Sequence, residues 1–210
     1  MDVHPPEEPI RSWKDFLVHL ATITIGLLIA LALEAAVESI HYRTLVREAR
    51  ENLRHEMAEN QKLYDKNALE LQRSRERLQH DIAQLRELRS GRKLAHPDLH
   101  FSWSWDSYAD AAWKSARDTG ATSHMDLQAV EDYDGLYSQQ SFVNEGAIGV
   151  FQDQARAAAP LRVVDDPNLL TPGEIESMLV ATAQIDVRIE TLQSLMKPLE
   201  QSFREHLNAP

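Results

Sequence analysis

Apolar residues recur along this chain in distinct rhythms, and each rhythm predicts a different element. From Phe16 to Leu33 they are continuous: FLVHLATITIGLLIALAL holds no Lys, Arg, Asp, Glu, Pro or Asn. As an α-helix this run would rise about 27 Å at 1.5 Å per residue, close to the hydrocarbon thickness of a bilayer. It predicts a transmembrane helix over 16–33, behind a short tail over 1–15. A cleaved signal peptide would want a shorter apolar core and a small-x-small site. Ala30, Ala32, Ala35 and Ala36 offer that geometry, yet Glu34 and Glu38 continue a helical pattern with no turn former nearby. A buried core helix is the third reading, and the anchor is preferred to both.

From Glu34 to Ser90 there is no Pro and no Gly, and helix formers dominate. This predicts a long amphipathic stalk helix over 34–90 with two heptad lines. One line reads Met57, Tyr64, Leu71, Leu78, Leu85. The other reads Leu53, Asn60, Asn67, Ser74, Asp81, Leu88 and is polar through its middle. A two-stranded coiled coil wants both lines apolar, although Asn60 and Asn67 could set register between chains. Packing against other helices of the same chain is the preferred reading for the distal half. Gly91 should end the helix, and Pro97 bars immediate resumption.

The pattern between 97 and 160 predicts a small helical lobe rich in aromatics. Phe101, Trp103 and Trp105 alternate briefly like a strand, but Ser104 or Asp106 looks like the cap of a helix running to Arg117. Ser123, with Asp126 at the capping-box position, should open the next helix, striped by Leu127, Val130, Tyr133 and Tyr137. Gly146 and Gly149 suggest that the run from Phe142 to Phe151 is broken or loose. After a linker over 160–168, Thr171-Pro172-Gly173-Glu174 is the clearest helix start in the chain. Ile175, Met178, Thr182, Ile185, Ile189, Leu192, Met196, Leu199 and Phe203 then mark one face of a C-terminal helix over 171–207. Its length matches the Met57–Leu88 stripe, so the two should pack antiparallel, with Pro198 bending the last turns. The expected fold class is all-α: a transmembrane helix continuing into a long helix that packs with a C-terminal helix and a small lobe.

Charge narrows the partners. The net charge is −11, but residues 34–90 balance eleven acids with eleven bases. Residues 98–176 carry fourteen acids against Lys114, Arg117, Arg156 and Arg162. An acidic lobe of this kind argues against nucleic acid and suits a soluble surface or a protein partner. There is no cysteine, which excludes disulfides and thiolate chemistry.

Within the span, Thr22, Gly26 and Ala30 recur every four residues, a spacing that lets two helices approach closely in lipid. A homo-oligomer, with a dimer favoured, is the expectation. His19 lies close to that face and reads as a hydrogen-bonded histidine. Arg11 and Lys14 precede the span, while Arg43, Arg47 and Arg50 follow it at a distance. Proximity favours a cytoplasmic N-terminus and a C-terminal part outside, which is the preferred reading, and total count slightly favours the reverse.

Chemistry is sparse. His96, Asp98 and His100 alternate and could face one side of an extended segment to hold a divalent metal, but a fourth ligand is not compelled. Glu38 and His41 form a single Glu-x-x-His step where a di-iron bundle needs two. Glu131, Asp132 and Asp134 lack the ligand ladder of a calcium loop. No nucleophile elbow or phosphate loop is present, and no cofactor is expected. Trp105, Tyr108 and Trp113 read as core before pocket.

The string Ile25-Gly26-Leu27-Leu28-Ile29-Ala30-Leu31, ending in Glu34 and leading into a long charged helix, resembles the anchor of certain uncharacterised bacterial single-pass membrane proteins. These have a short N-terminus, one span and a helical ectodomain of unknown function. The resemblance covers only this anchor and implies a bacterial inner-membrane setting, with no activity attached. The expected function is that of a membrane-anchored structural or interaction subunit, an enzyme being the less favoured idea. A membrane sensor is the alternative, and a metal-dependent enzyme using His96, Asp98 and His100 ranks third.

Overall fold

The computed structural model describes residues 13–208. Among them there is no strand, and the protein is all-α. Helix α1 spans Trp13–Arg89, α2 Ala111–Asp118, α3 Leu127–Ala158 and α4 Pro172–Asn208, with short 3-10 turns between α2 and α3 and between α3 and α4. The chain divides into two compact units, Met1–Glu48 and Ala49–Pro210. In the first, the described residues are the N-terminal part of α1 alone.

The second unit is a bundle whose register can be read from its cross-contacts. Tyr64 reaches Glu200, Arg75 reaches Asp186 and Arg89 reaches Glu176. Each pair has nearly the same sum of residue numbers, the signature of antiparallel neighbours, so α1 and α4 pack as their matched lengths suggested. Between α3 and α4, the Gln139 side chain donates to the Leu195 carbonyl at 2.7 Å, and Asp153 meets Arg188. These helices are antiparallel as well. Helices α1 and α3 therefore run in parallel, tied by Glu56 to Tyr137 at 2.8 Å and by Asn60 to Gln140 at 3.0 Å.

Both heptad lines of α1 are buried in this unit: Met57, Tyr64, Leu71, Leu78 and Leu85, and also Leu53, Asn60, Asn67, Ser74, Asp81 and Leu88. The apolar line packs in the core with Met178, Ile185, Ile189, Leu192, Leu199 and Phe203 of α4. The polar line meets something else. Residues 92–110, where a helix from Ser104 or Asp106 was expected, form an extended strap running back along α1, and α2 begins only at Ala111. Leu99, Phe101, Trp103 and Trp105 turn partly inward, and the residues between them are exposed. The Trp103 and Trp105 rings stack at 5.8 Å, as side chains two apart on an extended segment can.

An extended segment without a neighbouring strand must pair its peptide groups elsewhere. Here side-chain amides pair five of its residues, and the Ser102 N–H bonds back to the His100 carbonyl at 2.8 Å. Asn60 donates to the Ala109 carbonyl at 2.8 Å and accepts from the Ala109 N–H at 2.9 Å. Asn67 does the same to Asp106, at 2.8 and 3.1 Å. Gln84 bonds both groups of Asp98, and Asn144 of α3 bonds both groups of Tyr108. Asn168 clasps Leu94 in the same manner. The polar heptad line is thus a docking stripe for the strap, and no second chain is needed to explain it.

The spacing follows from geometry. Seven helical residues rise about 10.5 Å and three extended residues about 10 Å, so one heptad matches three strap residues. Asn60 to Asn67 is one heptad, and Ala109 to Asp106 is three residues. Asp81 lies two heptads further, and its carboxylate accepts from the N–H of His100, six residues from Asp106, at 2.9 Å. The same count puts Trp103 at the level of the small Ser74, and puts Pro97, which has no N–H, at the level of Leu88.

The ends of the helices are capped as their sequences require. Gly91, at φ 81°, closes α1, with Arg92 N–H bonded to Glu87 O and Gly91 N–H to Leu88 O. Thr171 and Glu174 exchange side-chain and backbone bonds at the start of α4. Pro198 lies inside α4, which continues to Asn208. Two expectations are corrected. Asp126, accepting from Gln128 and Ala129 N–H, is itself the cap of α3, because Ser123 is taken up in a 3-10 turn. Helix α3 also runs unbroken through Gly146 and Gly149: the side chains of Leu192 and Arg188 lie where Cβ atoms would sit, so these glycines admit α4 without breaking α3.

Asn67→Ala removes both bonds to Asp106 and should cost roughly 1–3 kcal/mol for each peptide group left unpaired. Ser104→Ala, at an exposed strap position, should stay within about 0.5 kcal/mol. Urea unfolding of the two variants in detergent gives the comparison, and equal losses would contradict the docking role of Asn67.

Candidate functional site

In the first unit, the segment 16–33 is helical throughout and none of its most apolar window is buried. Leu17, Val18, Leu20, Ile23, Ile25, Leu27, Leu28, Ile29, Leu31 and Leu33 are all exposed. The hydroxyls of Thr22 and Thr24 donate back to the carbonyls of Val18 and Leu20, at 2.9 and 2.8 Å, so both hydroxyls are paired within the helix. Gly26 has open space on its side of the helix, and a methyl group there would meet no other side chain within 4 Å. Thr22, Gly26 and Ala30 therefore lie together on one accessible stripe. Trp13 and Phe16 stack at 5.4 Å just before the apolar run. Lys14 is in α1, and Arg11 lies outside the described residues. This helix is long and apolar enough to cross a membrane.

Beyond it, Glu38 accepts a hydrogen bond from the Tyr42 hydroxyl at 2.8 Å, and the His41 ring lies 5.7 Å from that of Tyr42. Leu33, Glu34, Val37, Glu38 and His41 line an open depression on this single helix.

In the second unit, the strap positions the residues named as metal candidates. Its alternation turns Asp98 and His100 outward, where their side chains meet at 2.5 Å, each more than half exposed. His96 is exposed on the loop leading in. Among the described residues, no group of three or more His, Asp or Glu side chains is arranged to hold a metal ion. The strap's alternation explains the pattern: Leu99, Phe101 and Trp103 turn partly inward, which leaves Asp98 and His100 exposed between them.

The aromatic residues build core. Trp113 is buried and stacks on Tyr137 at 5.8 Å, with Tyr133 close by. Tyr108 is buried against Phe203 of α4. Glu56 bridges this cluster, accepting from the Tyr137 hydroxyl and from the Ala112 N–H in the first turn of α2, which Asp110 leaves without a side-chain cap.

Comparison with known proteins gives no match. No family model, curated protein or solved structure matches this chain. Two features bear on function: an exposed apolar helix, and a bundle that carries a strap held by amides.

Asp153, buried on α3, is met by Arg156 at 3.1 Å and by Arg188 of α4. The Arg188 guanidinium lies over Gly149, so this ion pair and the absent side chain belong to one arrangement. It is a structural lock between α3 and α4. Neither it nor the strap's amide bonds were foreseen from sequence. The legible signal was a polar residue at every seventh position inside an otherwise core-facing line.

All five tyrosines hold their phenol protons more tightly than free tyrosine. Burial is the main cause for Tyr64, pushed up to about 12, and for Tyr108, Tyr133 and Tyr137, while the Glu38 carboxylate raises Tyr42. A phenol raised on folding contributes stability that is fully present below its unfolded value of 10.0 and is lost as pH rises through the folded one. Absorbance titration at 295 nm should therefore show little tyrosinate near pH 10, then ionisation together with loss of helix at higher pH. Normal titration of the tyrosines with the helices intact would contradict their burial.

Proposed function

We propose that the chain is a single-pass protein of the bacterial inner membrane whose helical bundle serves as a structural or interaction subunit. One observation carries this reading. Every large apolar side chain from Trp13 to Ile40 is exposed, whereas a core helix of a water-soluble protein would bury such a face. Lipid is the partner that this surface fits. Paired threonine hydroxyls and the stacked Trp13–Phe16 pair before the run agree with it. Orientation follows from Arg11 and Lys14 before the span, which favour a cytoplasmic N-terminus and a periplasmic bundle. A second copy of the chain is the partner proposed within the bilayer, through Thr22, Gly26 and Ala30. The acidic surface of residues 98–176 is proposed to meet a protein partner.

The anchor is tested by carbonate extraction of membranes from cells expressing the full chain, with intact mass measured on the product. The expected result is a full-length protein that stays in the membrane pellet and is released by detergent. Release by carbonate, or a product trimmed within its first thirty-odd residues, would overturn the anchor. A reporter active only in the periplasm, fused after Pro210, should be active if the proposed orientation holds. For the pairing, Gly26→Leu should weaken self-association of the span by about tenfold in a membrane association assay, because a leucine holds the two backbones apart. Unchanged association would remove the small-residue interface while leaving the anchor intact.

A further inference from the structure

The ladder that holds the strap has one rung of different chemistry. Asn60, Asn67, Gln84 and Asn144 are neutral amides, and each bonds both the N–H and the carbonyl of one strap residue. Asp81 occupies the same heptad line as Asn60 and Asn67, and heptad-to-three-residue matching puts His100 at its level. It is 1% exposed. Its Oδ1 accepts from the His100 N–H at 2.9 Å, as an asparagine oxygen would. Its Oδ2 is buried and has no hydrogen-bond partner. An ionised carboxylate can only accept, so it cannot make the second bond that the amides make.

We propose that Asp81 makes the middle of the strap a proton-controlled latch. With a proton on Oδ2, the side chain becomes an asparagine mimic: Oδ1 accepts from His100 N–H, and Oδ2–H supplies the donor that Nδ2 supplies at residues 60 and 67, with the second lone pair of the His100 carbonyl, which already accepts from Ser102 N–H at 2.8 Å, as its acceptor. With the proton lost to solvent, the strap covers a buried negative charge bonded on one side only. Such a charge is costly until water reaches it. Lifting residues 98–104 from α1 admits that water, while Asn60, Asn67 and Asn144 still hold residues 106–109. The latch closes in acid and loosens toward neutral pH.

The charged groups near Asp81 are His80 and, one turn away, Arg77 on its own helix, the latter donating to the Ser102 carbonyl at 3.4 Å, and His100 and Asp98 on the strap. Burial raises the Asp81 carboxyl above its usual range, and the His100 N–H and the two imidazoles partly offset this. The closed strap therefore binds a proton more tightly than the open one. Closed-state stability is full below the open-state value near 3.8 and falls as pH rises through the raised value. Most carboxylates that are paired on folding have the opposite sense, so the strap should differ from the rest of the bundle.

Hydrogen exchange with mass-spectrometric readout tests this on the full chain in detergent micelles, from about pH 4 to pH 6.5, with rates corrected for intrinsic exchange. In the wild type, protection of residues 98–104 should fall with rising pH by up to about tenfold per pH unit within the titration window. Segments of α4 should not follow. Asp81→Asn, which installs the missing donor, should keep the strap protected and flat across the range. Two results would overturn the latch: a wild-type strap whose protection does not change, or an Asp81→Asn strap that still loosens with pH, which would transfer the effect to His80 and His100. Membrane extraction plays no part in this readout, so the latch and the anchor stand or fall separately.

Discussion

A peptide group withdrawn from water has to be paired, and helices and sheets are the usual ways to pair many at once. Residues 92–110 use neither. They run extended beside α1, and the N–H and carbonyl groups of Ala109, Asp106, Asp98, Tyr108 and Leu94 are met by Asn60, Asn67, Gln84, Asn144 and Asn168 in turn, each offering a donor and an acceptor at the spacing of one peptide unit. The rest of the bundle's layout depends on this substitution. Because the strap returns along α1 in the extended form, about eleven of its residues cover the length of some 24 helical ones. The chain comes back to the level of Asn60, α2 starts about one turn further on at Glu56, and α3 then runs parallel to α1 while α4 closes the bundle against both.

The same constraint explains residues that otherwise look misplaced. Asparagines at core positions of a long helix normally cost stability unless satisfied. Here Asn60 and Asn67 are fully buried because the strap's main chain satisfies them. Phe101, Trp103 and Trp105 fall on alternate residues because the strap's inward face must fill the space between helices, while Asp98, His100, Ser102 and Ser104 face solvent. Glu56 extends the logic beyond the amides, capping the first turn of α2 while holding Tyr137 of α3. Where α3 meets α4, Gly149 leaves room for the arginine that pairs with buried Asp153.

Much of this was legible in the sequence, and what was not has a physical reason. The all-α class, the long first helix, its Gly91 stop, the capping box at Thr171 and the antiparallel match between α1 and α4 follow from periodicity and local chemistry. The alternation of Phe101, Trp103 and Trp105 was visible too, but a capping signal at Ser104 or Asp106 competed with it. Local propensity could not show that Asn67 would take the Asp106 peptide group out of that competition. The unbroken α3 was hidden for a related reason: a glycine within a helical pattern reads as a breaker until the arginine that needs its space is known. His96, Asp98 and His100 looked like ligands because they alternate, and they alternate because the strap does. The stripe of Thr22, Gly26 and Ala30 was legible as a pattern, and its accessible face is what that pattern requires.

The register between α1 and the strap is the claim on which the bundle stands. It is most directly tested by NMR on the full chain in micelles with selectively labelled asparagine, reading contacts between side-chain amide protons and strap backbone protons. The account predicts contacts from Asn60 to Ala109 and from Asn67 to Asp106, seven residues on the helix against three on the strap. Contacts spaced seven residues apart on both segments, as two packed helices would give, or no contact from either asparagine to residues 98–110, would contradict it.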